Sequence, residues 1–269
     1  TLPYPIVLKP AVGFFSLGIY QVRSKKEFAQ TKKQLRADLH YLTSLYPEEV
    51  IQSDVFLIEE MIEGDEFAID AYYNDKGEAV ILNIYKHLFA SENDVSDRSY
   101  FTSPAIMQRY LEDFTALLGR IGQETQTRQF PIHLEVRFSP KHGIIPIEAN
   151  ALRFAGWSMA DMAQHAWGIN PYEYLLGNKK PDWPQLLRER AGRQFNVYIA
   201  DFPSDIDRAQ IRHVDYEAIV QNFSKLHELR KTDYNTYPVL AFIFTESAEG
   251  DFSENKTMLQ TDFTQYISL

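Results

Sequence analysis

Cysteine is absent from all 269 residues, which removes disulfides, thiolate nucleophiles and cysteine-based metal sites together. That absence is compatible with a cytosolic or a simple secreted protein. No apolar stretch approaches the roughly 20 residues of a membrane-spanning helix, so no membrane role is expected. Basic residues are the minority among the charges, 27 Lys and Arg against 37 Asp and Glu, for a formal net charge of −10. Nucleic acid, which wants a basic surface, is therefore not an expected partner, although a local basic pocket for a nucleotide stays open. Seven histidines occur without zinc-site spacing. There is no internal repeat and no low-complexity segment. What is present, with 45% hydrophobic residues, is enough to bury a core and build one large domain or two smaller ones.

Patterning predicts a mixed α+β chain with antiparallel hairpins. A short strand at Ile6–Leu8 ends at Lys9-Pro10, and Ile19–Val22 resumes strand character after a Gly/Ser loop. Ser24, with Glu27 three residues later, caps a helix predicted to run to Leu42. Strands follow at 56–62 and 66–73, joined through Glu63-Gly64-Asp65, and Asn74-Asp75-Lys76-Gly77 turns into a strand at 79–89. Residues 90–103 read as a polar loop, and Pro104 opens a helix to about Gly122. Helices are expected over 158–167 and after Pro171, strands at 195–200 and 239–245, and a helical pattern over 216–229.

The segment Ile132–Phe138, the turn Pro140-Lys141-His142-Gly143 and Ile144–Asn150 read as two strands folded on themselves. With Lys141 and His142 in the turn, Glu135 faces Glu148 and His133 faces Asn150, while Leu134, Val136 and Phe138 turn to the other face with Ile145 and Ile147. Opposed carboxylates repel unless something positive lies between them, and a set of Asp, Glu and Asn oxygens suits magnesium. An ordinary hairpin with a solvated polar face and a shifted register fits the same residues. His133 is open to two readings, a satisfied core histidine or a support for that site.

Lys9 precedes Ala11–Gly18, whose Gly13, Ser16 and Gly18 would let backbone N–H groups approach an anion, although an ordinary strand-loop corner would look the same. It is not a Walker A loop, because the lysine precedes the glycines. Phe14 and Phe15 in that loop would need a partner or something to cover. Glu59, Glu60, Glu63, Asp65, Glu66 and Asp70 form an acidic strand-turn-strand that is either a solvated surface or, around Met61-Ile62, a seat for an adenine ring. Arg153 follows the acidic hairpin closely enough to reach phosphate oxygens with its guanidinium.

Taken in order, Pro5–Pro10 with Gly13, Ser16 and Gly18, then Ile58–Glu66, then His133–Arg137 and Ile147–Gly156, this chain resembles the ATP-grasp superfamily of carboxylate-amine (or thiol) ligases. The resemblance implies an α+β fold of two subdomains whose antiparallel sheets grip a nucleotide. It implies a small subdomain at 1–73 carrying the Gly/Ser loop and adenine hinge, a large subdomain at 74–190 carrying the metal site, and a C-terminal extension at 191–269. ATP and Mg2+, with Mn2+ as a substitute, are the implied cofactors. Lys9 would bind ATP phosphates under the loop with Gly13, Ser16 and Gly18. Glu59 and the Glu60, Met61 and Ile62 backbone would hold adenine, Glu66 would bind ribose, and Glu135, Glu148 and Asn150 would bind the metal. Arg153, with Lys9, would steady phosphoryl transfer. Lys86 and His87, with the loop at 91–103, are candidates for substrate contact.

The implied activity is ATP-dependent activation of a small-molecule carboxylate as an acylphosphate for attack by an amine, in a cytoplasmic enzyme that could form homo-oligomers. The alternative is a non-catalytic ATP-grasp-like module that binds nucleotide or serves assembly. Relatives carry an upstream domain and an earlier lysine, so a missing N-terminal part or a separate partner chain is expected, with weak turnover by these residues alone. Relatives also place Pro and Arg directly after the Asn, whereas here Asn150-Ala151-Leu152-Arg153 displaces the arginine by one position.

Overall fold

Among the described residues, alternation of apolar side chains builds two main antiparallel sheets, with a separate two-stranded pair near the C-terminal end. The computed structural model describes residues 3–12, 18–45, 55–156, 158–203 and 206–269. Strands β1 (Ile6–Pro10), β2 (Tyr20–Val22) and β3 (Phe56–Glu60) form the smaller sheet in the order β2-β1-β3. Ile6 and Leu8 of β1 are buried, so Val7 and Lys9 turn to the opposite face, where both line a cleft. Helix α1 (Lys25–Leu45) starts where the cap is expected: Ser24 Oγ accepts the Glu27 amide at 3.2 Å, while the Glu27 carboxylate takes the Arg23 amide at 2.7 Å.

The larger sheet contains β4 (Asp65–Tyr73), β5 (Ala79–Leu88), β6 (Ser99–Thr102), β7 (Phe130–Ser139), β8 (Gly143–Ala151) and β9 (Arg193–Asp201). Strands β10 (His213–Val214) and β13 (Ile267–Ser268) pair separately, and β11 (Leu226–Lys231) and β12 (Val239–Ala248) complete the large sheet. Its order is β11-β12-β9-β6-β5-β4-β7-β8. Helix α2 (Pro104–Thr125) is capped by Ser103, whose Oγ accepts the Ile106 amide at 3.3 Å, and it buries Ile106, Met107, Phe114 and Leu118 in the main core. Five short helices follow: α3 (Met162–Trp167), α4 (Pro171–Leu176), α5 (Trp183–Glu189), α6 (Tyr216–Val220) and α7 (Ser253–Gln260). Alternation along β9 separates two cores, with Phe195, Val197 and Ile199 in the main one and Tyr198 and Ala200 in a second one shared with Met258 of α7.

The sheets are not divided as the three sequence segments would divide them. β4 lies in the eight-stranded sheet, and the residues after 190 contribute three strands to it. The stretch read as a polar loop contains β6, wedged between β5 and β9 with Ser99 and Thr102 fully buried. Its aromatic, β-branched residues form a strand that the polar residues before it conceal. The helical pattern over 216–229 breaks after α6, because the Asn222 side-chain amide donates to the Ala218 and Ile219 carbonyls and ends the helix. Leu226–Lys231 then pairs with β12 as an edge strand. The helix expected at 158–167 is a 3-10 turn, Met159–Asp161, running into α3. Helix α5 was not expected, although Asp182 caps it by accepting the Gln185 amide at 3.0 Å and Pro184 stands in its first turn.

Gly64 joins β3 to β4 with φ +135°, and a Cβ there would lie 2.4 Å from the Phe138 carbonyl oxygen. Gly64→Ala is expected to destabilise the chain by roughly 2 kcal/mol or more, from backbone strain and that clash, seen as a lower thermal midpoint.

Candidate active site

The β7–β8 hairpin aligns Glu135 with Glu148 and His133 with Asn150. It reaches this pairing by a different route from the turn geometry expected. The turn pairs Ser139 with Gly143 and Phe138 with Ile144, one residue off, and a bulge at Ile147 restores the register before Glu148. Two expectations fall with that shift. Ile144, in place of Ile145, packs against the core, and Ile147 lines the cleft beside Glu148.

The cleft lies between the two sheets and is open to solvent, with about 730 Å³ of empty space when that at its mouth is included. Lys9, Glu59, Glu66, Arg137, Glu135 and Glu148 all reach it. Burial raises the Glu148 pKa and the Glu135 charge raises it further, against the opposing pull of the Asn150 amide, Lys9 and Arg153. The structure therefore brings Lys9, Arg153, Asn150 and both glutamates into one electrostatic neighbourhood. Arg153 is exposed and donates to the Phe154 carbonyl at 3.1 Å. The Asn150 amide nitrogen is buried and faces the Glu148 carboxylate.

His133 is a buried histidine that touches the site. Its Nδ1 lies 2.8 Å from Asp70 and its Nε2 3.5 Å from Glu135. Burial pulls its pKa down, but the bonds to Asp70 and Glu135 outweigh that and hold it at about 9. A folded pKa above the unfolded value stabilises the chain below about pH 6.5, and that contribution disappears as pH rises through 9. His87 shifts in the same direction through Glu66 despite complete burial. Thermal melts without metal are expected to show stability falling by on the order of 2 kcal/mol from pH 6.5 to 9.5. His133→Gln should flatten that slope.

Of the other sequence-expected residues, Lys9, Glu59, Glu60, Met61, Ile62, Glu66 and His87 line the same cleft. Gly13 and Ser16 lie outside the described residues, as do Phe14 and Phe15. Gly18, with φ +76°, precedes β2. Lys9 forms an ion pair with Glu59 at 2.9 Å, so the residues assigned to phosphate and to adenine hold each other. At the hinge, the Met61 amide donates to the Pro5 carbonyl at 3.3 Å and the Ile62 carbonyl accepts from Arg137 at 3.1 Å. Glu60 lies beside them on the cleft wall. Lys86 pairs with Asp65 at 2.8 Å and does not line the cleft, whereas His87 does.

Arg137 is a cleft residue that the sequence leaves without an assigned role. It grips Glu66 through Nε at 3.0 Å and Nη2 at 2.6 Å, while the other Glu66 oxygen lies 2.9 Å from His87 Nδ1. Both oxygens of the expected ribose ligand are thus engaged within the chain. The two-residue spacing from Glu135 on one strand was the available signal, since it puts Arg137 on the same face. His87 also bonds to the Ser96 carbonyl and stacks on Tyr100 at 4.1 Å, and the Tyr100 hydroxyl donates to Asp97 at 2.6 Å. Burial pushes Asp97 up to about 6.

Among the described residues no three His, Cys, Asp or Glu side chains form a metal-holding group. The pair Glu135 and Glu148 with the amide oxygen of Asn150 nevertheless fits magnesium, which takes one or two carboxylates and completes its shell with water and phosphate oxygens. The mutual repulsion of the two glutamates is what a cation there would relieve. No helix among the described residues is long and apolar enough to cross a membrane.

The profile of the ATP-grasp domain matches residues 2–161. A search of curated proteins returns no match. Among solved structures, the chain is similar to L-amino acid ligase from Bacillus licheniformis, with TM-score 0.62 and 17% identity over 99% of this chain and 63% of that one. It is also similar to the biotin carboxylase domain of 2-oxoglutarate carboxylase from Hydrogenobacter thermophilus, solved with MgADP, ADP and bicarbonate. There the TM-score is 0.58 and the identity 12%, over 91% of this chain and 54% of that one. Phosphoribosylglycinamide synthetase from Anaerococcus prevotii gives TM-score 0.52 and 12% identity over 99% and 64%. The chain spans less than two thirds of the length of each, and at these identities the likeness is one of fold. With the profile covering more than half of the residues and the two-sheet architecture agreeing with it, the chain belongs to the ATP-grasp family.

Proposed function

We propose that this chain is the nucleotide-binding portion of an ATP-dependent ligase that activates a carboxylate for attack by an amine. The observation that carries the reading is the cross-strand pairing of Glu135 with Glu148 on a cleft wall, with Lys9 and Arg153 close enough to offset part of the rise that burial and Glu135 impose on the Glu148 pKa. A hairpin with no cation to bind has no physical reason to oppose two part-buried carboxylates. The MgADP bound in the Hydrogenobacter structure, on a similar fold, supports the same assignment.

In this reading Glu135, Glu148 and the Asn150 amide oxygen would hold magnesium, which when bound supplies positive charge against the phosphates. Lys9, released from Glu59, and Arg153 neutralise phosphate oxygens from the protein side. A substrate carboxylate oxygen then attacks the γ-phosphorus and ADP departs, giving an acylphosphate. The amine attacks the acyl carbon, the C–O bond to phosphate breaks, and the amine loses a proton. Glu66, gripped by Arg137 and His87, would brace the cleft wall, and the segment after β5, which brings Phe89, Asp94 and Val95 to the cleft, would face the substrate. Gly13, Ser16 and Gly18 would cover the phosphates, Glu59 and the Glu60–Ile62 segment would border adenine, and Mn2+ would substitute for Mg2+.

The test is ADP release from ATP and Mg2+ with a panel of amino acids and other small carboxylates, alone and in pairs with amines. Release that needs both a carboxylate and an amine supports the ligase. Nucleotide binding with no substrate-dependent release, by this chain and by one joined to an upstream ligase domain, favours a binding or assembly module.

A further inference from the structure

Asp70 is a completely buried carboxylate on β4 that the proposed chemistry does not use. It accepts from three segments at once. Oδ1 takes His133 of β7 at 2.8 Å and the Ala155 amide, just past β8, at 2.7 Å. Oδ2 takes the Tyr85 hydroxyl of β5 at 2.6 Å, and that hydroxyl also lies 3.2 Å from the Met159 carbonyl. Its register partners Asn83 and His133 are buried polar residues too, while the strand neighbours Ile69, Ala71 and Leu134 are buried on the opposite face of the sheet. A buried layer holds a fold together with less desolvation if its positions are apolar, so a buried carboxylate calls for a reason beyond stability.

The partners supply one. His133 carries the Asp70 bond on one ring nitrogen and approaches Glu135 with the other. Its strand position pairs with Asp70 on one side and with Asn150 on the other. Ala155 stands two residues beyond Arg153, so its tethered amide fixes where that loop leaves the sheet. One carboxylate thereby links the carboxylate side of the cleft to the loop carrying its guanidinium. Second partners of this sort orient metal-binding side chains, and losing one commonly weakens metal binding 10–100-fold.

We infer that Asp70 is a positioning residue, which through the His133 ring and the Ala155 amide sets the spacing between the metal-binding edge at Glu135 and the Arg153 loop. This rests on the reading of Glu135, Glu148 and Asn150 as the metal site.

The experiment titrates Mn2+ into the 269-residue chain with ADP by calorimetry. Asp70→Asn, which keeps the shape and an acceptor for the Ala155 amide but gives up the charge facing His133, is compared with His133→Gln, the double variant and the parent. Asp70→Asn should raise the Mn2+ concentration for half-saturation about tenfold with a cooperative melt retained. The double variant should shift no further than the larger single one, a non-additivity that a general loss of stability would not give. Amide exchange at Ala155 should stay slow in Asp70→Asn and become fast in Asp70→Ala. If Asp70→Asn does not fold, the same tenfold shift is expected of His133→Gln. Parental Mn2+ dependence in a folded Asp70→Asn or His133→Gln overturns the positioning role and leaves the metal site standing. A parent chain with no Mn2+-dependent ADP binding overturns both.

Discussion

Glu148→Gln is expected to lower ATP turnover by roughly 10²-fold or more in a chain that remains folded, since loss of supporting contacts to a metal site alone costs 10–100-fold. The substitution preserves volume, removes the charge and replaces one acceptor oxygen with an NH2 donor. In the protein without metal that charge is unfavourable: burial and Glu135 raise its pKa above the ordinary carboxylate value. A carboxyl with a raised folded pKa binds its proton more tightly in the folded state, so its stabilising contribution is present at acid pH and is lost as pH rises through that folded value. Glu148→Gln should therefore raise the thermal midpoint at neutral pH without metal and weaken the acid-side rise in stability. A variant that melts like the parent and turns ATP over at full rate would show that another acid carries the metal.

Glu135 and Glu148 were legible because the code for their placement is short. Alternation fixes the face, and a tight turn fixes the partner to within one residue. The one-residue error in the turn was cancelled by the bulge at Ile147, and nothing in Ile145-Pro146-Ile147 announces where a bulge will sit. The two-sheet α+β architecture was legible from the ordered motifs, and the ATP-grasp profile agrees. Long-range pairing was harder to see. Glu66 meets Arg137 because β4 lies beside β7, placing residues 71 positions apart opposite each other. Read alone, Glu66 is a free carboxylate able to take ribose hydroxyls. In the fold it is saturated by Arg137 and His87. Asp70 hid in the same way, as one acid among six in a run that reads as solvated surface, although its strand neighbours Ile69 and Ala71 are core residues. β6 and β11 escaped for another reason. Each is short, each is bordered by polar residues, and strand character there comes from the neighbours that pair with it.

ATP affinity should fall by at least about 10²-fold when Mg2+ is replaced by a chelator. The cleft wall that would face the phosphates carries Glu135 and Glu148, with Glu59 and Glu66 nearby, and the protein cations are largely committed. Lys9 is paired with Glu59 at 2.9 Å, and Arg137 with Glu66 at 2.6 Å. One like-charge contact at 4 Å costs about 4 kcal/mol at an effective dielectric constant of about 20, and a tenfold change in affinity needs only about 1.4 kcal/mol. A triphosphate entering without its ion meets more than one such contact, and solvent at the open mouth screens only part of the repulsion. The committed lysine adds a second consequence. Glu59→Gln should free Lys9 and recover part of the affinity lost in chelator, while changing affinity less when Mg2+ is present. Calorimetry of ATP binding in millimolar Mg2+ and in chelator, on the parent and on Glu59→Gln, measures both effects. Equal parental affinity in the two buffers would remove the shared metal site from the mechanism, whatever the family.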